Sequence, residues 1–410
     1  MKALFLITLL MPWHLWAQPQ SIQQLLPSTA RVQEVLLASP QIQSARYRQQ
    51  AQTARAQQQA QGSHEFAVRI NQQSRHVQDP AQTFGETQLT LERPLRWWNK
   101  GQTDQQLSEQ SRTIAQVGYA DALHEGSRRL LTQWLLAWRA KVVLDSAQEQ
   151  AQLTQTLERQ AAARLRQGDI SQLDAELARA EWQRVSVQRD LAHSEWARAQ
   201  AVLTRLYPGL GVPGSMPEHI QLPDLAPLDV LREDFLRKHH ELNLMRSESA
   251  RATLTAQRQQ QERLPDPTVG VFSARERMGA ERVVGVSVGI ALPGASRQYL
   301  ATAAQAEASA WEDRVRQAEL ELGAEFDRRW LSARDLRQSL AQMSAATRIQ
   351  QHAASQALRA YTLGESTMTD VLQHRRWADE QWKTLRLLQL EWLEQMAFIE
   401  LDLHQLWDLD

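Results

Sequence analysis

The chain has no cysteine. That excludes disulfides, thiolate metal sites and an N-terminal lipid-bearing cysteine. Beyond residue 17 no apolar run approaches the ~20 residues of a membrane-spanning helix, so a helical anchor is excluded as well. Charge imbalance is missing too: the 410 residues carry a net charge of -1, which leaves no bulk electrostatic case for nucleic acid. No nucleophile elbow, P-loop or zinc motif is present, and the sequence points away from an enzyme and from a cofactor. His239-His240, and His64 with His76, are the tempting metal ligands. Adjacent histidines on a helix point about 100° apart, and no carboxylate or third histidine sits at ligand spacing, so no metal site is expected.

What is present begins with Met1-Lys2 and an apolar stretch from Ala3 to Met11, with Ala17 as the cleavage point before Gln18-Pro19-Gln20. This reads as a signal peptide over 1–17, although Leu15 is not the small residue a signal peptidase prefers. A buried N-terminal segment is the alternative. An exported chain without a helical anchor is either free in the periplasm or inserted in the outer membrane as strands.

One short turn is written twice: Arg164-Leu165-Arg166-Gln167-Gly168-Asp169-Ile170-Ser171-Gln172-Leu173-Asp174, and Tyr361-Thr362-Leu363-Gly364-Glu365-Ser366-Thr367-Met368-Thr369-Asp370. In each, a helical pattern runs into a glycine suited to the left-handed C′ position. Three residues later Ser171 or Thr367 opens an N-cap, with Asp174 or Asp370 at N3 completing a capping box. Both turns read as tips of helical hairpins.

The hairpins belong to a duplicated order. Residues 31–62 read as a helix nicked at Pro40. Phe66, Val68 and Ile70, then Thr87, Leu89 and Leu91, alternate with period two as a pair of strands about nine residues long. After Pro94 a proline-free helical pattern with Gly126 inside it reaches Arg166, a rod of roughly 100 Å for ~65 residues, and after Gly168 a helix continues to about Leu206. Residues 207–227 hold five prolines and form a linker. The order then restarts: a helix from Leu228 to Arg263, strands at Thr268–Ser273 and Val283–Leu292, a helix to Leu363, the Gly364 turn, and a last helix to about Trp407. The expected domains are a first repeat over 18–206, the linker over 207–227 and a second repeat over 228–410. A period near 200 residues marks an internal duplication and not a solenoid.

The helix after Gly168 carries two apolar seams. Trp182, Val185, Ala192, Trp196, Ala199, Leu203 and Leu206 form one; Leu173, Leu177, Ala180, Val187 and Leu191 form another on a different face. Two seams need two neighbours. In the last strand, Val284, Val286, Val288, Ile290 and Leu292 alternate with the small residues Gly285, Ser287, Gly289 and Ala291. This is the dyad pattern of a membrane barrel, and equally of a half-buried strand in a soluble sheet. If the strands are in lipid, four cannot close a barrel and open edges are not tolerated, so protomers must pool them.

The ordered set resembles the TolC-type outer-membrane efflux family over nearly all of the mature chain. The likeness is carried by the twofold helix, strand, strand, helix, Gly-turn, helix order, by the two turns, and by Leu264-Pro265-Asp266-Pro267-Thr268-Val269-Gly270-Val271 and Leu292-Pro293-Gly294. The last two segments look most like the heavy-metal branch of the cobalt-zinc-cadmium type. The resemblance implies a mostly α fold with a small membrane β-barrel: a homotrimer with a twelve-stranded barrel in outer-membrane lipid and a periplasmic α-helical tunnel. It further implies a passive exit duct for heavy-metal cations, working with a periplasmic adaptor and an inner-membrane resistance-nodulation-division pump.

The resemblance makes Arg164, Leu165, Gly168, Asp169, Leu363, Gly364 and Glu365 the expected adaptor contacts, against the reading of turn geometry alone. Asp370 stands where related channels place an acidic ring at the pore entrance, with His374 one turn on; the alternative is that Asp370 is only the capping-box acid, as Asp174 is. The same channel could serve type I secretion or drug export. A soluble periplasmic coiled-coil adaptor fits less well, because here paired strands sit between helices and the whole unit is duplicated.

Overall fold

The computed structural model of the chain describes residues 22–62 and 64–409, so the expected signal peptide lies outside the described residues. After α1 (Ile22–Leu25), one order of elements runs twice. The first pass is α2 (Thr29–Ala38), α3 (Pro40–Gln61), β1 (Ala67–Gln78), β2 (Ala81–Pro94), α4 (Lys100–Gln167) and α5 (Gln172–Leu206). The second is α6 (Leu228–Lys238), α7 (His240–Glu262), β3 (Thr268–Glu276), β4 (Glu281–Gly289), α8 (Ala295–Leu363) and α9 (Met368–Asp402). α4 and α8, of 68 and 69 residues, are the two long helices read from the sequence.

Four expectations are corrected, the first being the last strand, read to Leu292, which ends at Gly289. The pattern from Leu228 to Arg263 reads as one helix, but the chain breaks at His239, which takes φ -59° and ψ 119° and caps α7 through its ring. Ser39 makes the corresponding break in the first repeat, φ -71° and ψ 140°, its hydroxyl accepting from Ile42 N–H at 3.3 Å. The proline at residue 40 advertises that break; nothing so obvious marks residue 239. The strands of the first pair are 12 and 14 residues, longer than the apolar alternation, because β1 and β2 continue as polar strands to a tight turn at Asp79-Pro80. Finally, α9 stops at Asp402, and Leu403, Leu406 and Trp407 are buried in the turns that follow.

The four strands form one antiparallel sheet in the order β1-β2-β3-β4, leaving β1 and β4 as its edges. The chain divides into two compact units, each drawn from both repeats. The first comprises residues up to Val32, Leu130–Pro227 and Arg329–Leu401. Its core is built on Leu130, Leu131, Trp138, Leu390, Trp392 and Leu393, all buried. Buried Arg386 ties the Pro-rich linker to α9 by donating to Pro217 O at 2.7 Å and to Met216 O. The second unit comprises Gln33–Arg129, Leu228–Arg328 and the residues from Asp402 on, and contains the sheet. There Gly126 lets α4 approach the α2–α3 break: a Cβ at this position would stand 3.3 Å from Ile42 and 3.5 Å from Leu36.

Candidate functional site

The two written turns have the same backbone. Gly168 and Gly364 take φ of 81° and 80°, the left-handed region that glycine enters without a Cβ penalty. Gly168 N–H donates to Leu165 O at 3.0 Å and Asp169 N–H to Arg164 O at 3.0 Å; Gly364 N–H donates to Tyr361 O at 3.1 Å and Glu365 N–H to Ala360 O at 2.9 Å. These paired bonds satisfy the orphan carbonyls at the ends of α4 and α8 as Schellman motifs. The helix starts that follow are capped as the sequence implies. Asp174 N–H donates to Ser171 Oγ at 3.1 Å, and that hydroxyl donates to the Asp174 carboxylate at 2.9 Å.

The Asp370 box is fuller. Asp370 N–H reaches Thr367 Oγ1 at 3.2 Å, while the Asp370 carboxylate accepts from Thr367 N–H at 3.1 Å, Thr367 Oγ1 at 2.7 Å and Ser366 Oγ at 3.3 Å. Hydrogen bonds from Thr367 hold this exposed carboxyl below the usual carboxylate range. It is a capping acid and a fixed negative charge at once. His374, half-buried, meets the edge of Trp377 at 5.4 Å.

In the first unit the two turns come together. Ala161, Ala178, Tyr361, Met368, Val371 and Leu372 make a small buried cluster, with Leu157, Ile170 and Leu177 packed against it. Arg164 lies over the Tyr361 ring at 5.1 Å, a cation–π contact between the tips. Leu165, Asp169, Leu363 and Glu365 stay exposed around this cluster.

Glu181 is the residue that sequence reasoning missed. It sits in the buried seam of α5 beside Ala178 and Val185, 4% exposed, and is gripped by two guanidiniums: Arg184 at 2.9 and 2.5 Å, and Arg376 of α9 at 3.0 and 2.5 Å. Burial opposes its ionisation, but hydrogen bonds and charge from both arginines prevail, and its pKa falls to about 2. The signal was an acid with apolar Leu177 and Val185 one turn away on either side, at a position outside both of the seams read from the sequence. The second seam has a different fate, with Leu173, Val187 and Leu191 each more than half exposed.

In the second unit the sheet is two-faced. The register puts Val68, Leu91, Val271 and Val286 in one row and Ile70, Leu89, Ser273 and Val284 in the next, all on one face. Val284, Val286 and Val288 are 74, 79 and 73% exposed. The opposite face is ionic: Arg69 pairs with Glu92 at 2.7 Å, Arg75 with Glu86 at 2.9 Å, and Gln73 donates to Glu86 at 2.8 Å. Gly285 belongs to this face because the Phe272 ring lies against it; a Cβ there would stand 2.6 Å from the ring.

His239 and His240 acquire neighbours that spacing did not reveal. The rings of His124, His240 and His404 lie 4.7 to 5.5 Å apart, and His239 is 6.2 Å from His124. Among the described residues, no group of three or more His, Cys, Asp or Glu is placed to hold a metal ion. Burial pushes His239 down to about 4.

No protein-family profile and no curated protein matches the chain by sequence. Solved structures do match. The outer membrane protein VceC of Vibrio cholerae superimposes with a TM-score of 0.74 at 16% identity, covering 93% of this chain and 96% of its own. The CmeC outer membrane channel of Campylobacter jejuni gives 0.74 at 11% identity, covering 92 and 85%. The transmembrane channel CusC gives 0.66 at 14% identity, covering 92 and 91%. At these identities the likeness speaks for the fold, and the chain has the fold of outer-membrane channels: a duplicated, mostly helical chain with a small antiparallel sheet.

Proposed function

We propose that this chain is one protomer of an outer-membrane exit duct, a passive channel of a tripartite efflux pump that receives substrate from an inner-membrane pump and a periplasmic adaptor. The observation that carries the reading is the sheet. One face is bulky, apolar and exposed, the other is lined with ion pairs, and among the described residues neither edge strand is paired on its outer side. In water such a face and two open edges invite aggregation. In lipid the apolar face is solvated, and the edges must be closed by other copies.

Three copies pool twelve strands, above the eight of the smallest membrane barrels. β3 and β4 are nine residues each, within the ~9–11 residues of a tilted membrane-spanning strand. The exposed seam of Leu173, Val187 and Leu191 offers the helices a surface for the neighbouring copy. Arg164, Leu165, Gly168, Asp169, Leu363, Gly364 and Glu365 are the proposed adaptor contacts, and Asp370, with His374 near it, the proposed acidic constriction. Heavy-metal cations are the proposed substrate, supported by the resemblance around Leu264–Val271 and by a fixed carboxylate suited to cations.

Fractionation and bilayer recording test the channel. The mature protein is expected in the outer-membrane fraction as a detergent-extracted trimer with cation-selective conductance; a monomer soluble without detergent overturns the proposal. Metal-sensitivity profiling of a deletion strain tests the substrate, and sensitivity to organic drugs alone would replace heavy metals with drug export.

A further inference from the structure

The arginines of the sheet fall into two groups. On the ionic face Arg69 is bound to Glu92, and Arg75 to Glu86 and, at 3.4 Å, to Glu276. At the β3–β4 hairpin Arg277 holds Glu281 at 2.9 Å. Glu86, Glu276 and Glu281, at this end of the sheet, are thus already taken. Arg275 and Arg282 differ: they are Cα partners in the β3–β4 ladder, both are exposed, and among the described residues neither is within ion-pair reach of a carboxylate.

Their face is the telling point. Arg282 lies two residues before Val284, and Arg275 two residues after Ser273, so both project from the apolar face, in the row of Thr87 and Gln72 that closes its hairpin end. Like charges directly opposite in a ladder repel. Two arginines on directly paired positions of one face, at the rim of an apolar surface, can offer their guanidiniums together to phosphate oxygens through paired, charge-assisted hydrogen bonds. Continuity with the apolar rows selects the source of that phosphate: a molecule whose acyl chains cover Val284 and Val286 carries its phosphate at the level of the next row.

We propose that Arg275 and Arg282 form a binding site for the phosphate of an anionic lipid headgroup in the leaflet on the hairpin side. The inference rests on the membrane reading of the apolar face and adds a lipid preference to it. The arginine stems lie over the edge of the apolar rows and the guanidiniums reach the phosphate plane. The bound anion relieves the repulsion within the doublet, so the site discriminates by headgroup charge and leaves zwitterionic lipid unselected.

The test uses the full-length detergent-extracted protein and the double variant Arg275→Gln/Arg282→Gln, loaded from vesicles of phosphatidylcholine or of phosphatidylcholine with phosphatidylglycerol, with retained lipid counted by native mass spectrometry. The wild type is expected to retain phosphatidylglycerol preferentially. The variant should bind it about thirtyfold more weakly, as for two basic side chains at an anionic surface, with phosphatidylcholine retention unchanged. Equal phosphatidylglycerol retention in both proteins overturns the site while leaving the membrane reading intact. So does competition by free inorganic phosphate at equal concentration, which would mark a simple anion site. Loss of the trimer in the variant with lipid retention preserved assigns the doublet to contacts between copies and also overturns it. A wild type that retains neither lipid and stays in solution without detergent removes the membrane reading and this inference together.

Discussion

Glu181 of α5 and Arg376 of α9 join the two helical hairpins through a two-pronged ion pair, at 3.0 and 2.5 Å, around a carboxylate that is 4% exposed. Glu181→Gln leaves Arg184 and Arg376 facing a neutral amide. The expected loss is about 2 kcal/mol, below the ~3–5 of a fully buried pair because Arg376 is half in water. The pH dependence has a definite sign. Glu181 is depressed from 4.5 to about 2, so its contribution is complete above pH 4.5 and disappears as the pH falls through 2. Denaturant midpoints of wild type and variant should therefore converge on acidification; a gap that stays constant from pH 7 to the acid limit would contradict the assignment.

The glycines of the two turns carry a backbone requirement and no packing one. Nothing lies within 4 Å of a Cβ built at Gly168 or Gly364, yet both have φ near 80°. Alanine at either position should cost about 1 kcal/mol and asparagine less, since asparagine tolerates the left-handed region. Thermal melts of the four single variants check this; equal losses for alanine and asparagine would mean that more than φ is at stake.

Asp370 has two separable properties, its cap and its charge. Asp370→Asn retains an acceptor for the Thr367 amide and hydroxyl, whereas Asp370→Ala removes the reciprocal half of the capping box and weakens the start of α9. For the proposed constriction, both variants should lose cation selectivity in bilayer recordings and only the alanine should lose stability. Selectivity untouched in the asparagine variant would leave Asp370 as a cap alone. Because hydrogen bonds from Thr367 depress its pKa, the wild-type selectivity should persist below the ordinary carboxylate range and vanish only in stronger acid.

His239 predicts the opposite edge of the acid range. It is lowered from 6.5 to about 4 by burial, with His124, Arg128 and His240 adding to the effect and Asp402 opposing it. A group depressed in this way favours the fold above pH 6.5 and loses that contribution as the pH falls from 6.5 toward 4, each unit being worth about 1.4 kcal/mol. His239→Ser keeps an N-cap acceptor of the kind Ser39 provides and removes the titration. Its stability should be flatter than the wild type's between pH 6.5 and 4, as read from unfolding midpoints at fixed denaturant.

The twofold order was legible because it rests on local rules: prolines that stop strands, glycines and capping boxes that reverse helices, and a period that switches from 3.6 to 2. The paired turns at Gly168 and Gly364 came from hydrogen-bond requirements satisfied within ten residues. The break at His239 was not legible, since an imidazole is an uncommon cap and the pattern on either side of it stays helical. The lengths of β1 and β2 were underestimated for a related reason: their outer halves are held by ladder hydrogen bonds and ion pairs, without apolar alternation.

By itself, then, the sequence determined the elements, their duplication and the composition of each sheet face, because these follow from neighbours in the chain. Only the tertiary structure decided that Arg164 meets Tyr361, that Glu181 is held by Arg376 of α9, that His124 and His404 join the two adjacent histidines, and that Arg275 faces Arg282. Each of those contacts joins residues from separate elements, or from both repeats, and helix packing or strand register fixes it; no local periodicity records which turn of one helix will lie against which turn of another.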